Sequence, residues 1–273
     1  MKDIQLVFFD IDDTLYRKAT QTVPDSALSA IRQLRKKGIH TAIATGRSPV
    51  AIPDVLQPLF KDGSFDLLVS INGQYNCQFT DNGSTVISHH PMDPTYIQQV
   101  VDYMKQKGWD YAGISESAMV SSADNEVVRD ALKGIGGVFV DPDYPLNHTI
   151  YQMLLFLDEE QLNQFQADGM IHQGFEALRW HPLGVDLVQK NGAKSRGIKD
   201  VCQYFNLSPK QTMAFGDGHN DVEMMQYVGI GVAMGDAREE VKAVADYITG
   251  TIEEDGILKA LQHFKLLNHG ENQ

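Results

Sequence analysis

Apolar and polar positions along this chain change over in blocks. Leu6-Val7-Phe8-Phe9 is a short apolar run stopped by Asp10, the composition of a strand buried on both faces. From Pro24 the period changes. Ala27, Leu28, Ile31 and Leu34 fall at helical spacing, and Arg35-Lys36-Lys37 before Gly38 forms a helix stop. A second apolar run, His40 to Ala44, ends at Thr45-Gly46-Arg47. A helical stretch is predicted over Val50 to Phe60, and a third run, Phe65 to Ile71, ends at Asn72-Gly73. Strand, helix, strand, helix, strand predicts right-handed βαβ units and a parallel sheet.

The same rhythm returns late in the chain. Helices are predicted over Lys194 to Phe205, Asp221 to Tyr227, Glu239 to Val244 and Gly256 to Leu267. Strands are predicted at Gln211 to Gly216, Ile230 to Met234 and Tyr247-Ile248. The middle of the chain lacks this alternation. Tyr75 to Thr80 and Thr85 to His89 flank the hairpin signal Asp81-Asn82-Gly83-Ser84. Helical patterns follow at Pro94 to Lys107 and Glu126 to Leu132, and strand patterns at Ile150 to Leu157 and Ala177 to Trp180. The predicted fold class is therefore α/β, a Rossmann-like parallel-sheet core made of residues 1–84 and 185–273. An α+β domain, residues 85–184, is inserted into it.

Composition narrows the function. The 273 residues suit two domains better than one. With 36 acidic against 23 basic residues, the net charge is -13, a field that repels nucleic acid and anionic membranes. No apolar run approaches the ~18 residues of a membrane span, and the stretch from Ile4 to Phe9 is too short for a signal peptide. Cys77 and Cys202 form no CxxC pair and read as reduced, partly buried thiols. These features predict a soluble, cytoplasmic protein with a small-molecule partner. They leave its oligomeric state open.

Three polar clusters each follow a predicted parallel strand, and the carboxyl edge of such a sheet is where ligands bind. In Asp10-Ile11-Asp12-Asp13-Thr14, an extended backbone through residue 12 would put Asp10 and Asp12 on one side. One carboxylate could then attack while the other passes a proton; the alternative is a solvated acidic turn. In Gly216-Asp217-Gly218-His219-Asn220-Asp221, Asp217 and Asp221 could hold a hard divalent cation, or Asn220 or Asp221 could simply cap a helix. Thr45-Gly46-Arg47-Ser48 offers a hydroxyl, free backbone and a guanidinium before a helix, which suits a phosphate as well as it suits a plain helix start. Lys194, opening a helix after Val185 to Gln189, could neutralise anionic charge, with Lys190 as a competitor for that role.

In this order, the four elements resemble the DxDxT, serine/threonine, lysine and GDxxxD motifs of the haloacid dehalogenase (HAD) superfamily. The large insertion between the second and third motifs is similar to that of members with a C2-type cap. Within that group the chain resembles the Cof-type, subclass IIB, sugar-phosphatase-like hydrolases. The resemblance implies a magnesium-dependent phosphatase. Asp10 would be the nucleophile that forms an aspartyl-phosphate, and Asp12 the general acid and then the base. Thr45 and Lys194 would hold phosphate oxygens, with Gly46, Arg47 and Asn220 beside the substrate. Asp10, the backbone carbonyl of Asp12, and Asp217 would ligate Mg2+, with Asp221 completing or supporting that set. Asn72-Gly73 resembles the family's loop after the third strand. One departure is Met234-Gly235-Asp236-Ala237, where relatives often carry asparagine at the position of Asp236. If Asp236 faces the site, its charge would oppose phosphate binding.

The inserted domain is expected to close over the site, with Trp180 and His181 as candidates to touch the substrate. Sugar phosphates are the first expectation, and pyridoxal phosphate, flavin mononucleotide and other small phosphomonoesters stay open. Two rival functions remain. One is a phosphotransferase such as a hexose-phosphate mutase, and the other is a non-catalytic protein that binds a phosphorylated metabolite.

Overall fold

The chain begins with β1 (Leu6–Phe9), α1 (Asp25–Lys36), β2 (His40–Ala44), α2 (Pro58–Lys61), β3 (Leu67–Ser70), β4 (Tyr75–Thr80) and β5 (Gly83–His89). It continues through α3 (Pro94–Lys107), β6 (Tyr111–Ile114), β7 (Met119–Ser121), α4 (Glu126–Ala131), β8 (Phe139–Val140), α5 (Tyr144–Asn147), β9 (Gln152–Leu155), α6 (Glu159–Ala167), β10 (Phe175–His181) and β11 (Gly184–Gln189). It closes with α7 (Lys194–Tyr204), β12 (Thr212–Gly216), α8 (Val222–Tyr227), β13 (Ile230–Ala233), α9 (Glu239–Lys242), β14 (Tyr247–Ile248) and α10 (Gly256–His263). This computed structural model describes residues 3–133, 139–190 and 192–268. They form two units.

The first unit takes the chain up to Gly46, Ile52–His89, and everything from Ala193 onward. Its sheet has the order β14-β13-β12-β1-β2-β3-β4-β5. The pairings from β14 through β3 are parallel, and the β4–β5 hairpin adds two antiparallel strands. Every residue of β1 is excluded from solvent, as a central strand covered on both faces must be. Phe9 stacks on Phe215 of β12 with ring centroids 5.2 Å apart. Helix α1 buries Ala27, Ile31 and Leu34 of the stripe its periodicity predicts, together with Ala30, while Leu28 is only partly buried. The chain moves from β1 to β2 on one side and later returns to β12 on the other. The strand order therefore reverses beside β1, which opens a crevice at the carboxyl ends of β1 and β12.

The second unit comprises Arg47–Ala51 and His90–Gly192. Its sheet has the order β10-β11-β9-β6-β7-β8 and is antiparallel except at β7–β8. Tyr111, Met153, Leu155, Val185 and Leu187 form a core with Ile97, Val101 and Met104 of α3 and Phe165 of α6.

Strand pairing shifts both edges of the insertion from 85 and 184. β5 hydrogen-bonds to β4 along its whole length and keeps residues up to His89 in the first unit. β11 pairs with β9 and β10, so the strand read as returning to the core belongs to the second sheet. The helix predicted over Val50 to Phe60 is instead a 3-10 turn, Pro49–Ala51, and the four-residue α2. Pro53 and Pro58 each lack the N–H that a continuous helix would need at those positions.

Candidate active site

Asp10 lies one residue beyond β1, and its backbone N–H donates to the Phe215 carbonyl at 3.0 Å. Asp217 lies one residue beyond β12. The parallel β1–β12 pairing thus brings together carboxylates that are 207 positions apart in sequence. A third, Asp221, reaches back from the turn that opens α8. Its Oδ2 accepts the backbone N–H groups of Asp217 and Gly218, each at 3.0 Å. Gly216 makes that reach possible, because a Cβ there would stand 2.5 Å from Asp221 Cγ.

Lys194 is the first residue of α7 and is fully buried. Its ammonium donates to Asp10 Oδ1 at 2.5 Å and to Asp221 Oδ1 at 2.6 Å. Two glycines set the helix in place. A Cβ on Gly73 would meet the Ala193 carbonyl at 2.6 Å, and one on Gly197 would meet Gly73 Cα at 2.7 Å. Only a bare backbone allows α7 to approach the loop after β3 this closely. That loop turns through three successive left-handed residues, Ile71, Asn72 and Gly73. Lys190, the competitor, is exposed and lies in the second unit.

Oxygens of Asp10, Asp217 and Asp221 all lie within 4.8 Å of one another. Three carboxylates face one ammonium. Burial, reinforced by the charges of Asp221 and Asp217 and opposed by Lys194, pushes Asp10 up to about 8. Burial also pushes Asp217 up to about 6, against the hydroxyl of Thr14, which donates to its Oδ1 at 2.8 Å. Lys194 is held above its ordinary value: burial disfavours its charge, but the two carboxylates it touches prevail. Excess negative charge on a hard, all-oxygen donor set fits a divalent cation. Both oxygens of Asp221 are already hydrogen-bonded, so in a metal-bound site Asp10 and Asp217 would be the better-placed direct ligands and Asp221 the support.

The other predicted residues divide. The strand ends at Phe9, so the extended backbone does not run through residue 12. Asp12 sits in a turn, in an isolated bridge with Tyr16, and its carboxylate is not part of the acidic cluster. Thr45 is buried beyond β2, with its N–H on the Val69 carbonyl at 2.8 Å and its carbonyl accepting from Asn72 N–H at 3.1 Å. Gly46 leaves room for the Asn72 side chain, whose Oδ1 would lie 3.1 Å from a Cβ there. Asn220 donates to that same Oδ1 at 3.3 Å. Arg47 groups with the second unit and donates to the Ala51 carbonyl at 2.7 Å. Trp180 and His181 lie on β10 of the second unit, where the indole covers Gly184 and His181 Nδ1 accepts from Leu183 N–H at 3.2 Å. Asp236 does not stand as an uncompensated charge, because Arg17 meets its Oδ2 at 3.1 Å. Sequence reading missed Thr14 and Arg17. Thr14 had a signal, as the last residue of the DxDxT pattern.

This geometry agrees with the comparisons to known proteins. Residues 7–261 match the family model of the haloacid dehalogenase-like hydrolases, and the chain belongs to that family. It is 34% identical over 273 residues to YkrA of Bacillus subtilis, provisionally named a phosphatase, with 97% of this chain and 99% of that one covered. It is also 34% identical over 268 residues to a Streptococcus pyogenes protein provisionally named a bifunctional phosphatase/peptidyl-prolyl cis-trans isomerase. There the match takes in 98% of this chain, which spans only 55% of that relative's length. Among solved structures, the HAD subclass IIB sugar phosphatase BT4131 superposes with a TM-score of 0.78 at 32% identity, covering 96% of this chain and 100% of that one. Among the described residues, no helix is long and apolar enough to cross a membrane.

Proposed function

We propose that this protein is a magnesium-dependent phosphatase that hydrolyses small phosphomonoesters, sugar phosphates first among them. The observation that carries the reading is the buried cluster of Asp10, Asp217, Asp221 and Lys194 at the carboxyl edge of β1 and β12. Similarity to the sugar phosphatase BT4131 favours the substrate class.

Asp10 is the nucleophile. One of its oxygens is committed to Lys194, which leaves the other to attack phosphorus. The new O–P bond forms as the ester P–O bond breaks. Asp12 donates a proton to the departing alkoxide and later takes one from the water that hydrolyses the aspartyl-phosphate. Lys194 and the N-terminal N–H groups of α7 stabilise the charge on the transferring group. Thr45, with Gly46 and the Asn72–Asn220 pair beside it, bounds the phosphate pocket. Asp10 and Asp217, with the backbone carbonyl of Asp12, would hold Mg2+, which supplies charge neutralisation for an anionic substrate. The inserted unit is proposed to select the leaving group.

The test is inorganic phosphate release from a panel of small phosphomonoesters, with magnesium and with a chelator. Metal-dependent release that Asp10→Asn abolishes is expected. Wild-type turnover by Asp10→Asn, with contamination excluded, would defeat the reading. A phosphosugar isomer in place of free phosphate would identify a transferase.

A further inference from the structure

Arg17 is the hub of a charge network that no motif above contains. Its side chain is 18% exposed. Its NH1 meets Asp13 Oδ1 at 3.2 Å, and its NH2 meets Asp236 Oδ2 at 3.1 Å and the carboxylate of Glu253. Its Nε is buried and finds no hydrogen-bond partner among the described residues. That arrangement carries a desolvation cost which a freely solvated surface arginine would avoid.

The three carboxylates sit on different parts of the first unit. Asp13 follows Asp12 directly and is left-handed, with φ 60, a strained conformation for a residue with a Cβ. Its N–H donates to the Tyr16 carbonyl at 2.8 Å, and Asp12 bridges the same Tyr16. Asp236 belongs to the loop after β13. That loop is fastened to the end of β12 by Met234 N–H on the Gly216 carbonyl at 3.1 Å and Arg238 N–H on the Asp217 carbonyl at 3.0 Å. Glu253 lies in the 3-10 turn before α10. Arg17 therefore ties the strained turn bearing Asp12 to the frame that carries Asp217. Lys18 also reaches Asp13, at 3.2 Å, but it is 56% exposed and bridges to no other element among the described residues.

We propose that Arg17 is a positioning residue, which holds the Asp12–Asp13 turn against the loop of Asp236 and so sets the placement of the general acid. Aspartate at 236 is then the counterpart of arginine at 17, and not a charge that opposes substrate. The proposal rests on the reading of Asp12 as the acid–base residue. Arg17 is only partly exposed, so its replacement can also cost stability; its positioning role is read from the chemistry of the leaving group, which a loss of fold alone would not make selective.

A leaving-group comparison tests this. An alkyl phosphate needs a proton on its departing alkoxide, whereas p-nitrophenyl phosphate expels a stable phenolate that needs none. Arg17→Met should lower kcat/KM for the alkyl ester by about tenfold to a hundredfold, a part of the usual acid–base contribution, and leave kcat/KM for p-nitrophenyl phosphate near wild type, because kcat/KM ends at departure of the leaving group and excludes the later water step that Asp12 also serves. Arg17→Lys should recover part of the loss. The ratio of the two rates does not depend on how much enzyme is folded. Equal losses on both substrates, or no loss on either, would overturn the proposal. Asp12→Asn, run in parallel, isolates the premise. If its kcat/KM falls equally on both substrates, the assignment of Asp12 as the acid for the leaving group fails. If it is selective while Arg17→Met is not, only the role of Arg17 fails.

Discussion

Lys194 Nζ lies 2.6 Å from Asp221 Oδ1, and neither side chain reaches solvent. The pair joins the first residue of α7 to the turn after β12, and Asp221 also ties down the N–H groups of Asp217 and Gly218. One carboxylate thus holds both the site's only buried ammonium among the described residues and the backbone that presents Asp217. Buried ion pairs are weak evidence for stability as pairs, but removing one partner strands the other.

Asp221→Asn should therefore destabilise the protein. An amide presents only one acceptor oxygen. Its NH2 would face either Lys194 or the two backbone N–H groups, donor against donor. The expected loss is about 3–5 kcal/mol, the cost of breaking a buried pair, measured as a lower urea midpoint with an unchanged slope. A midpoint equal to wild type would mean that Asp221 is replaceable as a structural hub.

Asp10 gives a pH prediction of opposite character. Its ordinary value of 3.8 rises to about 8 in the fold without a metal, chiefly through burial. Between these values the native state holds a proton that the unfolded chain has released. The metal-free protein should therefore lose stability as pH rises from about 4 towards about 8. Asp10→Asn removes the titrating group and should flatten that fall. In chelator, its advantage over wild type should grow from acid to mildly alkaline pH. Parallel stability curves for the two proteins would sink this account.

Magnesium bound at the proposed site would compete with the same protons. Asp217 rises to about 6 and Asp10 to about 8, so a cation entering at neutral pH must displace a proton from Asp10. Metal affinity should increase steeply as pH is raised through this window. Calorimetry in buffers of different ionisation enthalpy should report proton release. At a hundredfold excess over Kd, magnesium should stabilise the fold by about 2.7 kcal/mol. Affinity independent of pH would place the metal elsewhere.

Much of the first unit could be read from the sequence because its strands are apolar runs that stop at polar residues. Phe9 gives way to Asp10, Ala44 to Thr45, and Gly216 to Asp217, so the strand ends and the site coincide. Lys194 could be ranked only through the resemblance, since a lysine opening a helix is more often solvated. The structure supplies what composition lacks, namely its burial against Asp10 and Asp221. Segment 50–60 misled because its apolar spacing hides two prolines. β6 and β7 were missed because they are short and sit among polar turns. Arg17 was invisible for a different reason. Its partners Asp236 and Glu253 lie 219 and 236 residues away, and no local pattern records such pairings.

The two glycines behind Lys194 allow the closeness of α7 to be tested separately from its charge. A methyl at Gly197 would stand 2.5 Å from Asn76 Oδ1, 2.6 Å from Val69 Cγ1 and 2.7 Å from Gly73 Cα. Asn76 cannot easily retreat, because its Nδ2 donates to the Gly73 carbonyl at 3.0 Å and to Ser88 at 2.9 Å. The helix must move instead, and Lys194 is three residues away on its first turn. Gly197→Ala should cost about 1–3 kcal/mol, as overpacking does. It should also reduce kcat by about a hundredfold, the effect of roughly a 1 Å misplacement of a group at the reacting centre. Gly108 provides the control. Unlike the helical Gly197 it is left-handed, with φ 68, and a Cβ there would meet nothing within 4 Å. Gly108→Ala should cost about 1 kcal/mol from backbone strain alone and leave kcat unchanged. If both variants lose similar stability and neither loses turnover, the close approach of α7 to the loop after β3 is packing without catalytic consequence.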